Sequence, residues 1–219
     1  MTLSTTSPVR RKDPLSRHRE LASAAGRVAL AEGLAVLTAK KVADEVGVYP
    51  GLVTHYFKTS DRLLAAAFAA AVESRRERPV LDAADADPLA QLRTFISSAT
   101  TSENDDYALL WLDAWRESRR RPALQEEVVR QMEIDVADLT QLLELGCTTG
   151  VFEVENCSAS AMRILATIDG TLAQSAVRSA LAQATTLDYP VVTEMLLRHT
   201  ETELGLAMGS LDPVDHAQR

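Results

Sequence analysis

Residues 39–58 read AKKVADEVGVYPGLVTHYFK. Thr38 is a natural N-cap for a short helix over 39–46, with Val42, Ala43 and Val46 on its inner face. Gly47 ends that helix, because glycine accepts the left-handed backbone that closes a helical end. Pro50 suits a first helical turn and opens a second short helix through about Tyr56. Two short helices crossing at a tight turn need a small residue at the contact, here Ala43. Four residues on they need a glycine, Gly47, and six further a β-branched residue pointing back, Val53. Val42 and Val48 fill the rest of that core. The five positions together predict a helix-turn-helix, the unit that sets its second helix in the DNA major groove.

Helical periodicity continues on both sides. Before the motif, Leu21, Ala24, Ala25, Val28 and Ala31 share one face of a helix running from Ser16 to Glu32-Gly33. After it, Ser60-Asp61 is expected to cap a helix to about Arg76, and the acidic stretch LDAADAD leads to another from Pro88 to about Thr101. Helices over about 105–119 and 122–145 follow, then 158–183 behind a Ser158 cap and 189–208 opened by Asp188 and Pro190. CTTGVFEVEN alone has strand character and is short enough for a loop. The expected fold is all-α, about nine helices: an N-terminal three-helix DNA-binding domain and a C-terminal bundle. The division is a flexible basic arm at 1–15, a helix-turn-helix domain at 16–60, a C-terminal helical domain at 61–208, and a frayed tail at 209–219.

Charge is distributed unevenly. Residues 1–60 hold nine Lys/Arg against five acids, while residues 61–219 hold 14 against 26, so a +4 head sits on a −12 body. Only the head is then expected to meet a polyanion. The N-terminal sixteen residues lack the apolar core of a signal peptide, and the longest apolar run, at 63–72, is about half a membrane span. Cys147 and Cys157 form no metal pattern, so a reduced, cytoplasmic protein without metal or cofactor is expected. Four scattered histidines pair with no nucleophile, which argues against an enzyme.

Residues 17–64 resemble the N-terminal domain of the TetR family of bacterial transcriptional regulators. The likeness rests on the "AEG" ending of the first helix, Thr38 five residues after Gly33, "VADEVGV", Pro50-Gly51, "HYF" and the final "LL". The resemblance implies an all-α homodimer whose C-terminal domain binds a small molecule, and repression released by that effector. The chain departs from the family at three positions. Tyr49 stands where Ser or Thr usually caps the recognition helix, Thr54 where an aromatic is usual, and Ser60 where a phosphate-binding Lys is usual.

The recognition helix is short, so few side chains reach bases. Pro50 and Gly51 lie at its start, where glycine suits close approach to the groove wall despite costing about 1 kcal/mol against Ala. Tyr49, Thr54 and His55 point outward, with Thr54 or His55 the readers of base edges. Thr38, Lys40, Lys41, Tyr56 and Lys58 are expected on phosphates. Arg10, Arg11 and Lys12 would add contacts if the arm orders. His55 as a packing residue, and Lys40 and Lys41 as a solvated face, stay open as the plainer readings.

In the body, Tyr107, Trp111 and Trp115 recur every four residues along one helical face. They are either a core stripe or the aromatic wall of a ligand pocket between helices. "WLDAW…RRRP" and the later "IDG" at 168–170 are similar to the choline-responsive BetI group of TetR-type regulators. Asp113, Met132, Asp169 and Gln174 are the groups expected to orient a ligand there, and an aromatic wall beside an acid suits a cation. Helices 158–183 and 189–208 carry apolar residues over much of their surfaces and are expected to form a four-helix interface between two copies. The expected partners are a near-palindromic operator in double-stranded DNA, a second copy of the chain and a small-molecule effector, with no membrane. A helical protein-interaction module with a degenerate helix-turn-helix is the alternative.

Overall fold

A computed structural model of the chain describes residues 13–76, 87–100, 105–181 and 190–213. The expected basic arm before Asp13, the acidic loop at 81–86, Asp188 and the tail beyond 213 lie outside the described residues. Nine α-helices and no strand are present among those described: α1 (Pro14–Glu32), α2 (Ala39–Val46), α3 (Pro50–Phe57), α4 (Ser60–Arg76), α5 (Pro88–Thr100), α6 (Asp105–Ser118), α7 (Pro122–Thr148), α8 (Cys157–Leu181) and α9 (Pro190–Glu203). A 3-10 turn over Leu34–Val36 joins α1 to α2. No helix among the described residues is long and apolar enough to cross a membrane.

The head is held by caps and small residues. Thr38 Oγ1 accepts the N–H of Lys41 at 3.3 Å and starts α2. Gly47 ends α2 at φ 68°, ψ 40°; its N–H reaches back to Asp44 O, and that of Val48 to Ala43 O at 2.9 Å. This pair of bonds is a Schellman motif, which only a left-handed residue at Gly47 permits without strain. Val42, Ala43 and Val53 are fully buried in the crossing. Tyr49 precedes α3 with no side-chain cap hydrogen bond, as expected of a phenol at that position. A closer approach holds α1 against α4. A Cβ on Gly26 would lie 3.0 Å from Ala71 N and 3.2 Å from Ala67 O, so the two backbones touch where α1 has no side chain.

Several helix ends differ from the sequence-based expectation, each for a capping reason. α1 begins at Pro14 because Asp13 accepts the N–H of Ser16 at 3.2 Å. α8 begins at Cys157 because Asn156, not Ser158, accepts the N–H of Ala159 at 3.0 Å. α7 runs on to Thr148 and α9 stops at Glu203, each followed by a positive-φ glycine, Gly150 and Gly205. Asp61 does not cap its own helix; Thr59 Oγ1 takes the N–H of Arg62 at 3.2 Å. The Asp61 carboxylate instead accepts the N–H groups of Ala123 and Leu124, at 2.9 and 3.1 Å. It therefore satisfies the orphan donors at the start of α7, which has no cap of its own there. Residues 209–213, expected to fray, are docked: Leu211 is buried, its N–H bonds Glu201 Oε1 at 2.8 Å, and Arg198 pairs with Asp212.

Two hydrophobic cores result. One joins the head to α4, α6 and the first half of α7, and includes Leu21, Val53, Phe68 and Trp111. The other lies among α5, the second half of α7, α8 and α9, around Leu143, Ile164 and Leu196. The first core crosses the expected boundary at residue 60. The Cys147 and Cys157 sulfurs lie 3.7 Å apart as free thiols between α7 and α8.

Between α3 and α4 the chain turns within one residue. Lys58 has φ 64°, ψ −45°, and Thr59 N–H donates to Phe57 O at 2.7 Å, a γ-turn with positive φ. A side chain held there costs about 1–3 kcal/mol. Lys58→Gly should therefore raise stability by about 1 kcal/mol after the entropy of an added glycine, while Lys58→Ala should not. Thermal denaturation of the two variants checks this; equal midpoints would show that the turn is unstrained.

Candidate functional site

The candidate residues fall on two surfaces: one face of the head, and a cavity in the body. On the head, α3 presents its start and one side outward. Tyr49 is 87% exposed, and Pro50, Gly51, Thr54 and His55 are exposed beside it. Thr54 Oγ1 donates to Pro50 O at 3.2 Å, which leaves its lone pairs available but orients the hydroxyl inward along the helix. His55 stands edge-on to Tyr56 at 5.6 Å and is exposed rather than packed in the core. Tyr56 is half-buried, and Phe57 is buried against the His18 ring at 4.9 Å. His18 as a packing partner of α3 was not read from the sequence, since it lies one helix away.

The cations of the head divide into two groups. Lys41 is tied to Glu32 at 2.5 Å, and Arg27 to Glu45 at 3.0 Å. Lys40 and Lys58 are exposed and form no salt bridge among the described residues. Thr38 uses its hydroxyl oxygen as the α2 cap and is exposed as well.

In the body, α4, α5, α6, α7 and α8 enclose a cavity of about 380 Å³. Tyr107, Trp111, Trp115, Met132 and Asp169 all line it. The aromatic face is both wall and core: Trp111 is buried, packed edge-on against Phe68 at 4.9 Å and tilted against Trp115 at 5.6 Å. Gln174 is exposed and does not line the cavity. Five residues beyond Asp169 on one helix, it is rotated well away from it. Asp113, two residues from Trp111, lies on the opposite side of α6 for the same reason. There its Oδ2 accepts the N–H of Leu34 at 3.0 Å, in the turn that leads into the head.

The cavity also holds charged groups that sequence reading missed: Arg75, Arg76, Asp135 and Asp138. Asp135 lies one turn beyond Met132, a spacing that could have flagged it. The Arg75 guanidinium lies 4.6 Å from the centre of the Tyr107 ring, so that aromatic face already carries a cation. Burial pushes the Tyr107 phenol up to about 12. Arg76 binds Gln131 and Asp135, and burial still raises the Asp135 carboxyl above its usual range. Asp169 is pushed up to about 6, first by burial and then by the Asp135 charge; no hydrogen bond or ion pair holds it among the described residues. No cluster of three metal-ligating side chains occurs among the described residues. The arrangement suits a guest with an apolar body and one polar or charged end.

Comparisons with known proteins agree with this architecture. Residues 88–205 match the family described as "BetI-type transcriptional repressor, C-terminal". Over 101 residues, 42% of this chain, the sequence is 34% identical to the HTH-type transcriptional regulator BetI of Paraburkholderia phytofirmans. The chain spans about half the length of that relative, 50%. Among solved structures, a TetR transcription regulator from Haloarcula marismortui gives a TM-score of 0.69 at 23% identity, over 87% of this chain and 99% of that one. A Saccharomonospora viridis protein solved in complex with choline gives 0.67 at 19% identity, over 87% and 98%. At these identities the structures speak for the fold. The family match covers more than half of the chain, on a helix-turn-helix head and an all-helical body, and the chain belongs to the TetR family of transcriptional regulators, with a C-terminal domain of BetI type.

Proposed function

We propose that this chain is a DNA-binding repressor, acting in the cytoplasm as a homodimer and released from its operator by a small molecule held in the cavity of the body. One observation carries the reading: α6 faces the cavity with Trp111 and Trp115, and with Asp113 on its other side holds the backbone of the turn that leads to α2. A guest that shifts α6 would shift that turn. It can do so only by binding one arrangement more tightly than the other.

Several features support DNA as the partner of the head. Gly51 has open space where a Cβ would stand, so no neighbour in the chain demands a glycine at the exposed start of α3. Pro50, Gly51, Tyr49, Thr54 and His55 form the outward face, with Thr54 and His55 the readers of base edges. Thr38, Lys40, Tyr56 and Lys58 surround that face as phosphate contacts, and Lys41 joins them if its bond to Glu32 yields. Val191 and Met195 are exposed on α9, consistent with a four-helix interface of α8 and α9 between two copies. A two-fold dimer would pair two short recognition helices on a near-palindromic site.

For the effector, the solved choline complex of a similar fold and this cavity's own chemistry converge on a cation with an apolar body. Arg75 occupies the Tyr107 face, so the guest's charge would sit between Trp115 and the carboxylates of Asp169 and Asp135. Gln174, off the cavity, has no part in this.

Binding of a quaternary ammonium should then depend on the ionisation of Asp169. Its folded value, about 6, lies above the ordinary 3.8, so the folded protein keeps an extra proton between those limits. Stability therefore falls as pH rises across that window, and affinity for a cation rises through about pH 6 and levels above it. Tryptophan-fluorescence titrations with choline from pH 5 to 7.5 should show up to tenfold weaker binding per unit below 6, and Asp169→Asn should abolish the trend. A pH-independent affinity would remove Asp169 from the site. On the head, Lys40→Ala should weaken all duplexes alike and flatten the salt slope by about one per contact, whereas Thr54→Ala should lose about 1–3 kcal/mol of preference for the operator over other sequences. Unchanged binding in both variants would mean that another face meets DNA.

A further inference from the structure

We infer that the body contributes its own phosphate-binding site to the DNA interface: the arginines of the turn between α6 and α7. This rests on the reading of the protein as a DNA binder and extends the interface beyond the helix-turn-helix.

The turn is short and anchored at both ends. Arg120 N–H bonds Glu117 O and Arg121 N–H bonds Ser118 O, both at 3.2 Å, which closes the backbone after α6. The Arg121 side chain is held by Glu117 at 3.0 Å. Arg119 and Arg120, in contrast, are exposed and form no salt bridge among the described residues. In a body with a net charge of −12, two neighbouring unpaired guanidinium groups stand out as a local reversal of sign.

The position of the turn gives that reversal a meaning. Asp61, at the start of α4, accepts the N–H groups of Ala123 and Leu124. Those bonds fix the start of α7 beside the start of α4, three residues from Lys58 at the end of the recognition helix. Further along the same two helices, Glu73 pairs with Arg130 at 3.3 Å, and Arg76 binds Gln131 and Asp135. The helices therefore run side by side in the same direction, and the α6–α7 turn sits at the end of the body that adjoins the head. Arg62, next to Asp61, is exposed at that end too. Lys58, Arg62, Arg119 and Arg120 thus lie at one end of the molecule. The polyanion that reaches Lys58 is the occupant that matches their charge. Arginine suits the role, since its planar fork presents paired donors to a phosphate.

The contacts would be independent of sequence, so the probe need not be the operator. A mixed-sequence duplex of about 40 base pairs is titrated with the full chain at a series of salt concentrations. Each phosphate contact adds about 0.9 to the slope of log affinity against log salt. The double variant Arg119→Gln/Arg120→Gln should flatten that slope by about two per protomer. Arg119→Lys/Arg120→Lys, which keeps the charges, should retain most of it. Both side chains are exposed, so the melting temperature should stay at the wild-type value, and matched midpoints show that any change in slope arises at the interface. A slope for the glutamine pair equal to the wild-type slope, with the wild type binding the duplex, overturns this site while leaving the head's role intact. A wild-type chain with no salt-dependent binding to any duplex, its own upstream region included, overturns the site and the DNA-binding reading together. Flattening by the lysine pair as large as by the glutamine pair would also overturn it, because loss of affinity would then not follow charge.

Discussion

The Asp113 carboxylate takes the N–H of Leu34, and through that bond the turn after α1 is fixed to α6. The donor needs it. Gly33, at φ 92°, breaks the helical ladder, and a Cβ there would come within 2.9 Å of Asp113 Oδ2, so a larger residue would push the acceptor away. A part-buried N–H left without a partner costs about 1–3 kcal/mol, which makes the pairing a constraint on the fold. Everything that follows in the head, the Thr38 cap, α2, the Gly47 turn and α3, starts from a backbone whose origin is set by a side chain of the body.

That constraint acts alongside a shared core. Trp111 lies on the side of α6 opposite Asp113, buried against Phe68 and within the same cluster as Val28, Ala43 and Val53. The side chain that walls the cavity is therefore also a packing partner of the helices that carry the head. Close-packed interiors respond to displacement by rearranging neighbours rather than by yielding locally. Asp61 repeats the logic just past the C-terminal end of α6, where α7 begins: a carboxylate on α4 supplies the cap that α7 lacks. In both cases an acid on one element closes the open backbone of another.

Where sequence reading succeeded, local chemistry determined the outcome. Thr38, Gly47 and Pro50 set the ends of α2 and α3 by capping rules that involve neighbours within a few residues, and helical spacing puts Ala43 and Val53 on the buried faces of their own helices. The four-residue repeat puts Tyr107, Trp111 and Trp115 on one helical face and leaves open whether that face is core or cavity wall. What escaped was tertiary. Asp61 looked like a cap for its own helix, and nothing in SDRLL reveals that its carboxylate meets residues 62 and 63 positions away. Asp113 and Gln174 are polar and lie close in sequence to residues that line the cavity, but helical rotation turns both aside. Gly26 was invisible because a glycine within a helix signals a contact only once the other helix is known. Lys58 carried no sign of its positive φ, since the turn forms between two helices whose directions are set elsewhere.

The first hydrophobic core also determines how the molecule can be taken apart. Leu63, Leu64, Ala67 and Phe68 of α4, with Trp111 and Leu124 beyond, cover the inner sides of α1, α2 and α3. A fragment ending after the helix-turn-helix would leave those surfaces wet and Leu34 without its acceptor. Engineered chimeras that join this head to another body therefore cannot treat residue 60 as a seam. A transplantable head must bring α4 and the facing side of α6 with it, or the recipient must already present the same small and aromatic residues there.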